Sequence, residues 1–134
     1  MAIALRPKPV VDHDSEPFWA AVQNNKFMLK KCGACGSTMF YPRVVCPQCM
    51  SEDLSWYEAS GCATIYTYTV SHRAVQPYWE THVPYVIALI DLIEGARFLA
   101  YVVDPPDRVR IGAPVKVHYT EVEGFKYPDF QLVD

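Results

Sequence analysis

The chain has 134 residues, 51% hydrophobic and 20% charged, which describes one compact domain of ordinary size, or two very small ones sharing an interface, and excludes a disordered tail. A formal charge of −3 supplies no basic field to gather phosphate backbones. No apolar run approaches the ~20 residues that span a bilayer, and the start MAIALRPKPVVDHD has no apolar stretch long enough for a secretory signal, so a cytoplasmic, reducing location without a membrane is expected. Residues 1–13 read as an extended arm, because Pro7 and Pro9 discourage helix. Asp14 or Ser15 can then cap a short helix carrying FWAAVQ, with Glu16 and Pro17 in its first turn and an end near Asn24-Asn25. Phe18, Trp19 and Val22 form an apolar stripe at helical spacing. Such a stripe either packs on the chain's own core or faces a partner, since so short a helix needs something to lie against. Residues 26–31 lead as a strand into the first cysteine turn.

The next stretch, KKCGACGSTMFYPRVVCPQCM, organises the rest. It holds four of the five cysteines as two Cys-x-x-Cys pairs, Cys32 with Cys35 and Cys46 with Cys49, separated by ten residues. Each pair places two thiolates on a tight turn, and a hairpin can bring the pairs together around one ion. The intervening GSTMFYPRVV is long enough to go out and back as two short strands. Disulfides would need an oxidising compartment, and a thioredoxin-like pair would not need a second one. The reading is a zinc ribbon ligated by Cys32, Cys35, Cys46 and Cys49, with zinc preferred over iron, which the same sulfur shell accepts. Four protein ligands leave no open position for water or substrate, so one structural ion without chemistry is expected.

Beyond the ribbon, SEDLSWYEAS supplies a closing strand with Trp56 and Tyr57. From Gly61 the texture becomes β-rich. GCATIYTYTVSH reads as one long strand with Tyr66, Tyr68 and Val70 on one face and Ile65, Thr67 and Thr69 on the other. YVIALIDL (85–92) and RFLAYVV (97–103) follow around a turn at Glu94-Gly95, then a turn-rich connector (104–112) and PVKVHYTEV (114–122). The 124–134 tail has the weakest pattern and is expected to pack on the barrel or on a partner. Short strands at this spacing, without a long helix, suggest a small closed antiparallel barrel of the OB type, its bent first strand eased by Gly61 or Ala63. The fold class is mainly β: an N-terminal arm and short helix (1–29), a zinc ribbon (30–58) and a C-terminal OB-fold barrel (59–134).

Several motifs together resemble a known family: Cys32-Gly-Ala-Cys35-Gly, Pro42-Arg43 before Cys46-Pro-x-Cys49, Ser60-Gly61 entering Thr64-Ile-Tyr-Thr-Tyr-Thr69, Pro84-Tyr85, and Ile111-Gly112-x-Pro114-Val115. The pattern is similar to the acyl-CoA-associated proteins that pair a rubredoxin-like zinc ribbon with an OB-fold. The likeness runs from Phe18 to the region of Phe130. It implies a non-catalytic accessory subunit that completes a thiolase-superfamily enzyme acting on acyl-CoA, for example a thiolase/hydroxymethylglutaryl-CoA synthase complex, an acyltransferase, or an aldolase of steroid side-chain degradation. The thiolase-like partner would carry the catalytic residues. Two departures stand out: Gly61-Cys62-Ala63 where members often have Gly-Arg-Gly, so the positive charge that could meet a carboxylate or CoA phosphate is missing there, and Met50 where they have Gly.

Outside the ribbon, the loop 73–84 concentrates Tyr78, Trp79 and His82, and such loops form the binding edge of OB barrels. These residues, with Phe18 and Trp19, are the candidate partner or ligand contacts; an acyl-CoA contact there is a further option, and Trp79 folding back to cap the barrel is the bland one. His13, His72, His82 and His118 stand without any companion motif for acyl or phosphoryl chemistry, and no catalytic residue is expected. Zinc ribbons and OB barrels also serve single-stranded nucleic acids, with Tyr66, Tyr68 and Tyr101 as possible stacking residues, but the acidic balance disfavours that alternative. Cys62 reads as an inert strand thiol.

Overall fold

The structure, a computed structural model, describes residues 5–133; positions 1–4 of the expected arm and 134 of the expected tail lie outside the described residues. A helix, α1, spans Glu16–Gln23 with Pro17 in its first turn as expected, but Ser15 at the N-cap position makes no side-chain cap hydrogen bond, and the side chain that accepts the Ser15 amide is that of Asp12. Ser15 donates its N–H to Asp12 Oδ1 (2.8 Å) while its Oγ accepts the N–H of Asp12 (3.1 Å), a reciprocal closure of the first turn. The side-chain amide of Gln23 donates to the carbonyl of Lys126 (3.1 Å) and accepts its N–H (2.9 Å), so the helix end is stitched to a distant strand.

The ribbon contributes a three-stranded antiparallel sheet of β1 (Met28–Cys32), β2 (Thr38–Met39) and β3 (Leu54–Glu58) in the order β2-β1-β3. The two strands expected between the cysteine pairs reduce to one. Beyond Met39 the chain turns through 40–45 without a ladder, and Pro42 has no N–H to offer one. The second unit is a closed five-stranded barrel of β4 (Cys62–Ser71), β5 (Tyr85–Leu92), β6 (Arg97–Val102), β7 (Pro114–Val122) and β8 (Phe125–Leu132). Its order is β4-β5-β6-β8-β7, with β7 returning to β4 and β6 meeting β8 in parallel at Val102 and Phe130. This is the expected OB-type closure, in a chain that is mainly β with one short α-helix.

Two details of the barrel depart from the sequence reading. The weakly patterned tail is β8, a full strand paired with β7 from Val115↔Leu132 to Val122↔Phe125. Its alternation is hidden because Tyr127, Pro128, Asp129 and Phe130 are all buried, the helix and arm covering the side that would otherwise face water. The faces of β4 also do not alternate throughout. The register shifts between Ile65 and Thr67, so Ala63 and Ile65 point inward before the shift and Tyr68 and Val70 after it. This bulge puts Tyr66 on the opposite side from Tyr68.

One aromatic core joins the parts. Phe18 of α1, Phe27 before β1, Phe40 after β2, Phe98 of β6 and Phe130 of β8 lie within ring-contact distance of one another, Phe40 and Phe98 at 4.6 Å between centroids. Phe18 is 1% exposed. The expectation that it meets a partner is therefore corrected: the stripe of Phe18 and Val22 faces the chain's own core, as apolar residues on a short helix must if the helix is to persist.

Gly61 marks the entry to the barrel. Its φ is +78°, and a Cβ there would sit 2.5 Å from Cγ1 of Val117. Gly61→Ala combines a left-handed backbone with a steric conflict, and should lower stability by roughly 1–3 kcal/mol in urea unfolding.

Candidate metal centre and the cleft beside it

The two cysteine turns are built alike. In the first, the N–H of Cys32 donates to the Ser37 carbonyl (2.9 Å) and the N–H of Gly36 to the Cys32 carbonyl (2.9 Å); in the second, Cys46 donates to Ser51 (2.8 Å) and Met50 to Cys46 (2.9 Å). Backbone amides also face the sulfurs, from Cys35 to Cys32 Sγ (3.5 Å) and from Gln48 to Cys46 Sγ (3.4 Å). The four Sγ atoms lie within 4.8 Å of one another, with Cys32–Cys49 and Cys35–Cys46 each at 3.6 Å. A disulfide would need about 2.0 Å, whereas a tetrahedron of sulfurs on bonds of ~2.3 Å has edges of about 3.8 Å. The donor set and its spacing thus suit one four-coordinate ion.

The ionisation of the bare thiols shows what a cation must do. Hydrogen bonding to the Ser37 hydroxyl (3.1 Å), and then to its amide, lowers Cys35 to about 6. The Ser51 amide also favours the thiolate of Cys49, but the neighbouring Cys32 thiol, burial and the other two cysteines oppose it and push Cys49 up to about 12. The same cluster thus favours the thiolate at Cys35 and opposes it at Cys49, and a divalent ion removes the opposition by offsetting the sulfur charges together. Cys62 lies apart on β4, half-buried.

The likeness of the turns exposes one mismatch. Gly36 and Met50 occupy matching positions, and both have positive φ, +78° and +67°. Methionine has no special tolerance for that region. Met50 is also 74% exposed, so its side chain recovers little by packing. Met50→Gly should raise stability by about 1 kcal/mol, read as a higher urea midpoint at unchanged metal content.

Between the arm, α1, the ribbon and the barrel lies a cleft of about 520 Å³ with largely apolar walls that include Val10, Trp19, Phe40, Tyr41 and Leu99. At its end Arg6 forms two parallel bonds with Asp129, Nη1–Oδ2 at 2.6 Å and Nη2–Oδ1 at 2.7 Å. The same guanidinium lies 4.1 Å from the ring centre of Tyr127, 5.1 Å from Trp79 and 5.7 Å from Tyr101. Burial is the first cause that pushes the Tyr101 and Tyr127 hydroxyls up. No sequence signal marks Arg6 or Asp129, which stand 123 positions apart in a prolyl arm and a weakly patterned tail.

The loop residues are reached from here. Residues Pro77–Thr81 form a short 3₁₀ turn, and Trp79 folds back on the barrel to stack on Tyr85 at 4.7 Å. Tyr78 stacks on His82 at 4.6 Å, and His82 Nδ1 is held within the turn, 2.9 Å from the Tyr78 carbonyl. Trp19 is half-buried against Phe125 (5.9 Å). His13, His72 and His118 are exposed. The tyrosines named for base stacking do not share a platform. Tyr66 is exposed under the Arg97 guanidinium (3.6 Å), Tyr68 donates its hydroxyl to the Val109 carbonyl (3.2 Å), and Tyr101 lines the Arg6 site. On the outer barrel face a shallow groove of about 320 Å³ runs over Thr67, Thr69, Ile87, Leu89 and Leu99. Among the described residues no helix is long and apolar enough to cross a membrane.

Comparison with known proteins agrees with this architecture along most of the chain. Residues 19–55 match the family model described as the ChsH2 rubredoxin-like zinc ribbon domain, and residues 56–120 match the ChsH2 C-terminal OB-fold domain. A DUF35 domain-containing scaffold protein of Methanocaldococcus jannaschii is 37% identical over 95 residues, covering 69% of this chain and 67% of that protein. A probable enoyl-CoA hydratase alpha subunit of Thermomonospora curvata is 35% identical over 121 residues, which are 90% of this chain and 37% of that longer protein. Among solved structures, the Ltp2-ChsH2(DUF35) aldolase superposes with a TM-score of 0.83 at 31% identity, covering 93% of this chain and 98% of the matched one.

Proposed function

The chain belongs to the ChsH2 family of zinc-ribbon and OB-fold proteins, and from that premise we propose that it is a non-catalytic accessory subunit that binds and completes a thiolase-superfamily enzyme acting on acyl-CoA. The observation that carries this reading is the likeness, over nearly the whole of both chains, to the ChsH2(DUF35) chain of an aldolase complex. The scaffold name of the archaeal relative supports it. So does the chemistry of the four-cysteine site: Cys32, Cys35, Cys46 and Cys49 would hold one zinc ion with no position left for a reacting group, so the ion braces the ribbon. We assign the docking edge to the loop 77–82, a reading supported by the stacked pair of Tyr78 and His82 beside the half-buried Trp79. Trp19 is the second candidate contact.

The hydratase relative favours one further reading, in which the partner is a hydratase chain and the reaction is addition of water to an enoyl-CoA. Co-expression with the thiolase-like and with the hydratase-like proteins of the same cell separates the two. The proposal expects a stable complex with the thiolase-like chain whose turnover of acyl-CoA needs both subunits. Full activity of that chain alone would overturn it, and a complex formed only with the hydratase-like chain would replace it by the second reading.

A further inference from the structure

The arm that runs over the cleft is held in an uneven way. Pro7, Lys8, Val10 and Val11 are exposed or only partly covered, and the hydrogen bonds that tie residues 5–11 to the rest of the described chain all belong to Arg6. Two come from its guanidinium, and one is accepted by its carbonyl from the Tyr127 hydroxyl at 3.0 Å. The receiving site, by contrast, is firmly built. Asp129 is 1% exposed and sits on β8 between two paired neighbours. A carboxylate this deep needs a cationic partner, because its charge cannot be left to solvent. The rings of Tyr127, Tyr101 and Trp79 surround the same point from three elements: β8, β6 and the 3₁₀ turn.

We propose that Asp129, Tyr127, Tyr101 and Trp79 form a guanidinium receptor, filled in cis by Arg6, so that the N-terminal arm is a strap fastened chiefly by one exchangeable side chain, with Lys8 over the Phe125 ring at 5.5 Å as a second, looser contact. The chemistry selects the ligand class. Two parallel bonds at 2.6 and 2.7 Å require a planar fork, which a guanidinium has and an ammonium lacks. Flat rings at 4.1 to 5.7 Å favour a weakly hydrated, delocalised cation. Because Arg6, Pro9 and Val10 line the 520 Å³ cleft, exchange of Arg6 for another guanidinium removes one of its walls and opens the side next to Tyr101. The receptor is therefore able to accept an arginine presented by another molecule, at the cost of releasing the strap.

The test uses the 134-residue chain carrying Arg6→Ala, titrated with N-acetyl-arginine amide by calorimetry and by thermal unfolding. Saturable one-to-one binding is expected, with a rise in melting temperature, while the corresponding lysine compound binds at least roughly tenfold more weakly. Adding Asp129→Asn to Arg6→Ala should abolish the binding and, by removing the unpaired charge, give a protein more stable than Arg6→Ala alone. Absence of saturable binding, equal affinity for the lysine compound, or unchanged binding in the double variant would each overturn the proposal. Should Arg6→Ala not fold, Arg6→Lys carries the test: lysine fills the site as a point charge, so the arginine compound should displace it, and failure to displace it overturns the proposal equally.

Discussion

Cys46→Ser should reduce bound metal from one ion per chain to nearly none, melt the ribbon, and abolish assembly with the proposed partner. Cys46 is fully buried, and its sulfur lies 3.6 Å from that of Cys35. A serine hydroxyl stays protonated at neutral pH and cannot replace a thiolate in the shell. Binding to a structural four-cysteine site contributes on the order of 10 kcal/mol to folding, comparable with the 5–15 kcal/mol that separates a typical folded domain from its unfolded chain. The loss is thus large enough to unfold the part that depends on the ion. The ribbon is that part, because its sheet has a two-residue strand on one side and five-residue strands for the rest. Elemental analysis, circular dichroism and co-purification with the partner read the three effects, and a colourless protein with one zinc excludes iron. Cys62→Ser is the control: that thiol stands on β4 outside the tetrad, and its replacement should leave metal content and assembly unchanged. A Cys46→Ser protein that lacks metal, folds normally and still assembles would refute the bracing role.

What could be read from the sequence, and what could not, divides by the range over which the deciding interaction acts. A Cys-x-x-Cys turn is local, so its residues declare the geometry before any tertiary contact forms, and two of them within one short stretch imply the pairing. Strand β5 is equally open, since its burial alternates without a break from Tyr85 to Leu92. The bulge in β4 is not, because Tyr66 and Tyr68 look equivalent until the ladder with β5 slips by one residue. Strand β8 was concealed by its neighbours: packing from α1 and the arm buries positions that a one-sided strand leaves polar. The Arg6–Asp129 site is the extreme case. Its members are ordinary singly, and only the closure of the barrel, with the arm laid across it, brings them within 2.7 Å. Met50 is the reverse, a residue whose strain follows from a local turn that the matching Gly36 makes visible.

The second large effect is expected at Phe98→Ala, which should lower stability by about 3–5 kcal/mol and loosen the ribbon from the barrel. Phe98 stands on β6, and its ring meets Phe40 at 4.6 Å, Phe27 at 5.5 Å, Phe130 at 5.9 Å and Phe18 at 6.5 Å. Those four come from the ribbon, the segment before β1, strand β8 and the helix, so one side chain occupies the junction of every part of the molecule. Truncation removes the transfer free energy of the ring and the edge-to-face contacts, and leaves a void that the stiff barrel strands cannot close. Leu99, its neighbour in sequence, points outward at 63% exposure, so Leu99→Ala should change stability by no more than about 0.5 kcal/mol. Urea unfolding with metal bound gives both values. Hydrogen exchange then separates the regions: in Phe98→Ala the amides of β1 and β3 should exchange faster relative to those of β5 than they do in the parent chain, because the ion still holds the cysteine turns while the aromatic bridge is gone. A loss of under about 1 kcal/mol, with ribbon and barrel exchange still in step, would show that the two parts are joined by something other than this cluster.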